Sequence, residues 1–484
     1  MSTTDTDDGQ INGTIADHVA AVWADDVLPM LHDYIRIPCV SQAFDPDWKA
    51  HGFQDQATEM IRAWCAARNI AGLTVEVLEL PGRSPLIVAE VPAFAGGSAD
   101  TSLSNDLVLL YGHCDKQPEM VGWRDDLGPW KPVLEGDRLY GRGGADDGYA
   151  AFASMLAIEA AQLAGTPHSR LIVLIEGSEE SGSPDLPAYL DALADRIGSP
   201  TLVLCLDSGC LDHERMWVTT SLRGLVGGDL RVDILTEGVH SGEASGVVPS
   251  SFRILRKLLD RIEDSSTGEI LLPELHVEIP ADRIQQARDT SAEFPIGGHF
   301  PFVDDAQPMV HDPAEQLLAR TWKPSLSVTG VDGIPPVEIA GNVLRPHTTL
   351  HLSVRLPPTC DGERALAALE AALTNDPPYG ARVQFIGGHS GPGWNAPTFA
   401  PWLQTALDEC STIAFGRPTR AFGEGGSIPF MGMLGEMFPD AQFVITGALG
   451  PGSNAHGPNE FLHVPTAVKL TECLAQLLRA HATR

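Results

Sequence analysis

The stretch Asp106-Leu-Val-Leu-Leu-Tyr-Gly-His-Cys-Asp115 decides how this chain folds. Its first half is a short apolar run, the pattern of a strand buried on both faces. Its second half puts His113 and Asp115 where that strand gives way to a loop. In open α/β sheets, ligands bind at the carboxyl ends of the strands. A His there, with a carboxylate two residues on, suits a metal ligand and the group that takes its other ring N–H. The same pair also serves as an ordinary loop hydrogen bond, so its meaning depends on what the other strands deliver.

Further apolar runs end in the same way. Leu171 to Ile175 leads into Glu176-Gly-Ser-Glu-Glu-Ser-Gly182, and Leu202 to Leu206 ends at Asp207. Gln442 to Thr446 leads into Gly450-Pro-Gly-Ser-Asn-Ala-His-Gly-Pro-Asn-Glu460. Adjacent carboxylates such as Glu179 and Glu180 repel each other unless a cation or a shared proton intervenes. Leu139-Tyr-Gly-Arg-Gly-Gly-Ala-Asp-Asp147 opens an Ala-rich helix that runs to Leu163. Asp146 and Asp147 therefore sit at a helix N-terminus, where the dipole favours carboxylates, and an N-cap is the alternative to a ligand. The Gly run presents acids rather than a Lys, which disfavours a phosphate loop. Acids and histidines gather at one edge of one sheet.

The chain has 484 residues, too many for one ordinary core, so two domains are expected. A net charge of −32 argues against nucleic acid or an anionic membrane as partner. Cys39, Cys65, Cys114, Cys205, Cys210, Cys360, Cys410 and Cys473 are scattered, which fits reduced thiols in a cytoplasmic protein. No apolar stretch reaches transmembrane length. Met1 to Asn12 is polar and acidic, without a signal-peptide core, and is expected to be loose.

Helices are expected over Ile15–Ile35 and Phe53–Arg68, strands over Thr74–Leu80 and Leu86–Val91, and an ordered loop over Trp123–Leu139. A helix over Pro187–Ile197 follows. From Leu225 to Leu235 the pattern alternates, as in a sheet with one face exposed. A helix over Pro249–Ile262, an irregular stretch over Asp282–Lys323, strands at Val337–Ile339, Leu350–Leu356 and Arg382–Ile386, and a helix over Glu363–Leu373 come next. Gly387 to Pro397 reads as a hinge, and helices over Pro401–Phe415 and Pro465–Ala480 complete the chain. The fold class is thus α/β: a catalytic α/β/α sheet domain (residues 1–220 and 388–484) with an inserted α+β module (221–387).

The motifs at Tyr111–Asp115, Gly141–Asp147, Glu176–Gly182, Asp207 and Ser453–His456, in that order, resemble those of the co-catalytic dizinc exopeptidases. That group includes carnosinase, cytosolic nonspecific dipeptidase, peptidase V and acetylornithine deacetylase. The inserted module, with Trp322-Lys-Pro-Ser-Leu326, looks most like the carnosinase and nonspecific dipeptidase branch. The resemblance implies two Zn²⁺ per subunit, with Mn²⁺ or Co²⁺ as alternatives. His113 and Asp207 would hold one ion, Glu180 and His456 the other, and Asp146 would bridge them. Asp115 would orient His113, and Asp147 would follow the bridge across a peptide bond that is cis in this family. Glu179 would be the general base. In the inserted module, a lid and dimerisation domain in the family, His240 of Gly238-Val-His-Ser-Gly242 would reach the partner subunit's site in a homodimer and join Asn342 at the oxyanion. Arg355 would bind a substrate carboxylate, and Glu424 and Ser427 would contact substrate. Arg355 also fits a sheet-face ion pair, and His240 an ordinary turn.

The chemistry is coherent without the analogy. Imidazole and carboxylate ligands suit Zn²⁺, and a cation pair with a Glu base activates water for amide hydrolysis. No Gly-x-Ser-x-Gly element is present, which argues against a serine hydrolase. The implied substrate is a dipeptide or short peptide. The alternatives are a deacylase acting on N-acyl or N-carbamoyl amino acids and a noncatalytic metal-binding protein. Three positions depart from the family pattern. Gly148 stands where Lys is usual after the Asp pair, Gly423 where the branch has Arg, and Gly457 where Ser is usual.

Overall fold

A computed structural model describes residues 3–96, 106–426 and 428–484. The described chain divides into two compact units. The first holds residues up to Thr219, Ala396–Ala421 and Met433–Arg484, and the second holds Thr220–Asn395 and Phe422–Gly432.

The first unit is built on a mixed sheet. Its strands run in the order Thr74–Leu78, Leu86–Val91, Arg170–Glu176, Leu107–His113, Leu202–Cys205, Gln442–Ile445 and Trp217–Leu222. The strands 170–176, 107–113, 202–205 and 442–445 are mutually parallel. Parallel strands need coverage on both faces, and their sequences are accordingly apolar throughout. Val108, Leu110, Leu171, Val173, Ile175, Leu202 and Leu204 face a core built with the helices Tyr149–Leu163 and Val464–Thr483. The alternate residues Leu109, Ile172, Leu174 and Val203 are buried too. Register places Gly112 beside Ile175 and His113 beside Glu176, so the strand ends deliver their polar residues together.

The second unit is α+β. Its antiparallel sheet runs Ser325–Asp332, His347–Leu356, Gly224–Asp233, Arg382–Gly391. Leu350, Leu352, Val354 and Leu356 alternate into a core with Ile254, Leu255 and Leu258 of one helix and Leu369 and Leu373 of another. The α/β sheet and the α+β module inserted in the chain are therefore both present.

Several local expectations fail. The N-terminus is helical from Thr3 rather than loose. An ion pair between Asp8 and Arg479, and packing of Ile11 against the core, tie it down. The Ile15–Ile35 helix is interrupted by a wide turn at Trp23–Val27. The loop before Tyr140 contains two short strands, Val133–Glu135 and Arg138–Tyr140. Asp282–Lys323 is not irregular but holds two helices, Ala281–Glu293 and Pro313–Thr321, which share a small core of Ala287, Leu317, Leu318 and Trp322. Val337–Ile339 is a single helical turn, not a strand. The Arg382 strand continues past Gly387 to Gly391. All eight cysteines are free thiols, and only Cys360 is not fully buried. No helix among the described residues is long and apolar enough to cross a membrane.

Candidate metal centre and active site

His113 is the last residue of its strand, and the ring is fully buried. Its Nε2 lies 3.3 Å from Asp146 Oδ1 and 3.8 Å from Asp207 Oδ2. The other oxygen of Asp146 lies 3.0 Å from His456 Nε2, which is 3.3 Å from Glu180 Oε2. Two triads result, His113–Asp146–Asp207 and Asp146–Glu180–His456, each with its ligand atoms within 4.8 Å of one another. They share one carboxylate, and each of its oxygens faces a different imidazole.

Each candidate ligand arrives from a strand end or the loop after it. Asp207 follows Leu202–Cys205, and Glu180 sits on the single helical turn Glu179–Ser181 after Arg170–Glu176. Asp146 lies in the turn before the Tyr149 helix, joined to Asp147 by a cis peptide bond. His456 adopts a left-handed backbone, φ 63°, in the loop between Ile445 and Phe461.

The donor set fits divalent cations. His113 Nε2 is buried without a hydrogen-bond partner and faces carboxylates. Burial opposes ionisation of Asp146, but the imidazoles of His113 and His456 outweigh it and hold its carboxyl below the usual range. Burial and the Asp207 charge push Glu179 well up, and burial and the Asp146 charge do the same to Glu180. So many carboxylates in a buried space are costly unless cations neutralise them.

Asp115 does more than the sequence implied. Its carboxylate accepts from the backbone N–H groups of Glu179 (3.1 Å) and Glu180 (3.0 Å). His113 Nδ1 lies 3.2 Å from the Asp115 carbonyl oxygen and 3.5 Å from its carboxylate. Glu179 is mostly buried, with Oε2 4.0 Å from His113 Nε2. Gln117, which the sequence did not single out, donates from Nε2 to Glu180 Oε2 at 2.6 Å. Glu176 was also missed. It accepts from Ser178 (3.1 Å) and Ser183 (2.8 Å) and from the Tyr111 hydroxyl, and so braces the turn from below. Burial raises its pKa to about 7.

Two of the three departures, Gly148 and Gly423, have steric reasons. A Cβ at Gly148 would overlap the Tyr34 ring and lie 2.6 Å from Gly143 O. A Lys side chain has no room there. A buried cation lies close by instead. Lys116 Nζ sits 3.9 Å from the Tyr34 ring centroid and donates to Tyr34 O and Ile37 O, both at 2.8 Å. At Gly423 a Cβ would lie 2.5 Å from Ser221 Oγ and 3.0 Å from Thr321 Cβ.

The other candidate contacts belong to the second unit. His240 is exposed at the end of a two-residue strand paired with Val343–Leu344, and Ser241 N donates to Asn342 O at 2.9 Å. His240 and Asn342 are thus brought together. Arg355 lies in the sheet, paired with Leu225 and Ser325, and burial lowers its pKa. Arg223, another residue the sequence did not flag, donates to Ser325 Oγ at 3.0 Å. Glu424 ends a short strand, Arg420–Glu424. Ser427 lies outside the described residues.

A mixed α/β sheet whose strand ends gather two triads sharing one carboxylate defines a candidate site for two divalent cations. Residues 109–480 match the model of peptidase family M20/M25/M40, and the chain belongs to that family. It is 29% identical over 378 residues to the cysteinylglycine-S-conjugate dipeptidase of Corynebacterium striatum, covering 74% of this chain and 79% of that protein. It is 26% identical over 395 residues to the Cys-Gly metallodipeptidase DUG1 of Saccharomyces cerevisiae, with 78% and 80% covered. The solved structure of human carnosine dipeptidase 1 shares the fold, with a TM-score of 0.73 at 20% identity over 98% of this chain and 100% of that one.

Proposed function

We propose that this metallopeptidase is a cytoplasmic, homodimeric dipeptidase that uses two Zn²⁺ ions per subunit. The observation that carries the reading is Asp146, whose two oxygens each face the imidazole of a different triad. When bound, divalent cations there supply Lewis acidity toward the amide carbonyl and acidify an attacking water. The chain's own groups do the rest. Glu179, whose Oε2 lies 4.0 Å from His113 Nε2, takes a proton from the water at its carboxylate and returns it to the leaving amine. Asp115 fixes the turn that aims Glu179, through the N–H groups of residues 179 and 180. His240, reaching in from the partner subunit, receives the developing oxyanion, and Asn342, beside it in the same unit, joins it there. Arg355 pairs with the substrate's terminal carboxylate, and Glu424 and Ser427 complete the substrate contacts. In this reading residues 1–220 and 388–484 form the catalytic domain, and 221–387 the lid and dimerisation domain.

Both relatives named by activity are dipeptidases, which favours free-amine substrates over blocked ones. The free thiols fit a reducing compartment. The test is a panel of dipeptides beside their N-acyl and N-carbamoyl analogues, with zinc- or manganese-loaded protein and a chelator control. Chelator-sensitive cleavage of the free dipeptides is expected. Cleavage of the blocked analogues alone would convert the reading to a deacylase.

A further inference from the structure

Two residues of the ligand motifs have no part in the chemistry above, and they meet. Arg142 and Glu460 are buried at 1% and 0% exposure and form an ion pair, Nη1 to Oε2, at 2.5 Å. Nη2 of the same guanidinium donates to the backbone carbonyls of His456 (3.1 Å) and Gly457 (2.8 Å). Glu460 uses its second oxygen to accept from Gly143 N at 2.9 Å, and its carbonyl accepts from Gly141 N at 3.0 Å. Just beyond, Tyr140 pairs with Phe461 in a short antiparallel ladder. One buried pair therefore ties the loop that carries Asp146 to the loop that carries His456.

The tie matters most for His456. Its side chain is the exposed one among the five ligands, 56% open, on a loop where Asn454, His456 and Asn459 all have left-handed backbones. Such a loop does not fix a ligand by itself. Gly457 has no side chain, and the space is taken by the Asn454 amide, which donates to Pro458 O. The guanidinium supplies what packing does not, a planar fork onto the carbonyl of the ligand residue itself. A buried ion pair is a poor device for stability alone, and its best-attested use is to select one arrangement.

We propose that Arg142 is a positioning residue that sets the His456 loop for cation binding, with Glu460 holding the guanidinium in place. The proposal rests on the two-cation reading of the site. Its consequence is selective: losing the fork weakens the cation held through His456 and spares the one held through His113 and Asp207. Partners behind a ligand typically change metal affinity by about 10–100-fold.

The test is Arg142→Lys, which keeps the charge and loses the fork. Metal-free protein is titrated with Co²⁺, followed by visible absorption, against a competing chelator, with His456→Ala as reference. Melting of the metal-free variant reports folding separately. Expected is one site of unchanged affinity and one weakened at least about ten-fold, the site that His456→Ala removes. Equal weakening of both sites, or of neither, overturns the proposal. If Arg142→Lys does not fold, Glu460→Gln is read by the same criterion, and unselective loss there overturns it as well. If the wild type takes a single ion, the two-cation reading fails. The clamp is then judged on that ion, which Arg142→Lys must weaken only if His456→Ala does.

Discussion

Glu179 and Glu180 are neighbours in sequence, yet their carboxylates meet different surroundings. Glu180 Oε2 is close to His456 and Gln117, while Glu179 Oε2 lies 4.0 Å from His113 Nε2. Changing Glu179→Gln is expected to lower kcat by about 10²–10⁴ with metal content kept. Metal analysis beside steady-state kinetics checks this, and loss of metal would make Glu179 a ligand instead. At this scale the sequence was informative where a residue's chemistry is unusual for its place: two acids after an apolar run, or a His at a strand end. It was silent on Arg142 and Glu460, because an Arg in a Gly-rich turn looks solvated and its partner lies 318 residues away. The reason for Gly148 was equally hidden, since only the packed Tyr34 ring shows why no side chain fits.

The parallel strands were legible as elements because burial on both faces leaves an uninterrupted apolar run. Elements that bury little left no such mark. The Ala281–Glu293 helix buries only Ala287, Thr290 and Ser291. The Ser325–Asp332 strand is mostly exposed at a sheet edge, with a register shift between Val328 and Gly330. The C-terminal helix carries a different burial. His481 is fully enclosed, with Nδ1 3.0 Å from Ser169 Oγ and Nε2 2.8 Å from Thr201 Oγ1. Burial, and then the Arg484 charge, lower its pKa to about 3. Unfolded, the same imidazole titrates near 6.5. Between those values the unfolded chain binds a proton that the folded chain does not, so stability falls as pH falls. The slope from this group reaches about 1.4 kcal/mol per pH unit. His481→Gln in metal-free protein is expected to lose urea resistance less steeply from pH 6.5 to 5. An unchanged slope would mean that the imidazole is already charged in the fold.

For the molecule as a whole, the dimer is the claim with functional weight. If His240 acts across a two-fold interface, each site needs two chains. Co-expressed His240→Ala and His113→Ala subunits then form mixed dimers with one complete site. Activity that neither parent shows is expected, and an inactive mixture would place His240 outside the chemistry or in its own chain's site.

The thiols carry a last consequence. Seven are enclosed, and burial pushes Cys65 up to about 12 and Cys360, the half-open one, up to about 11. Only thiolates attack electrophiles readily. The native chain is therefore nearly mute toward alkylating reagents, while any excursion that opens the core exposes several reactive sulfurs together. Labelling mass would then read out, molecule by molecule, how often the fold lets go.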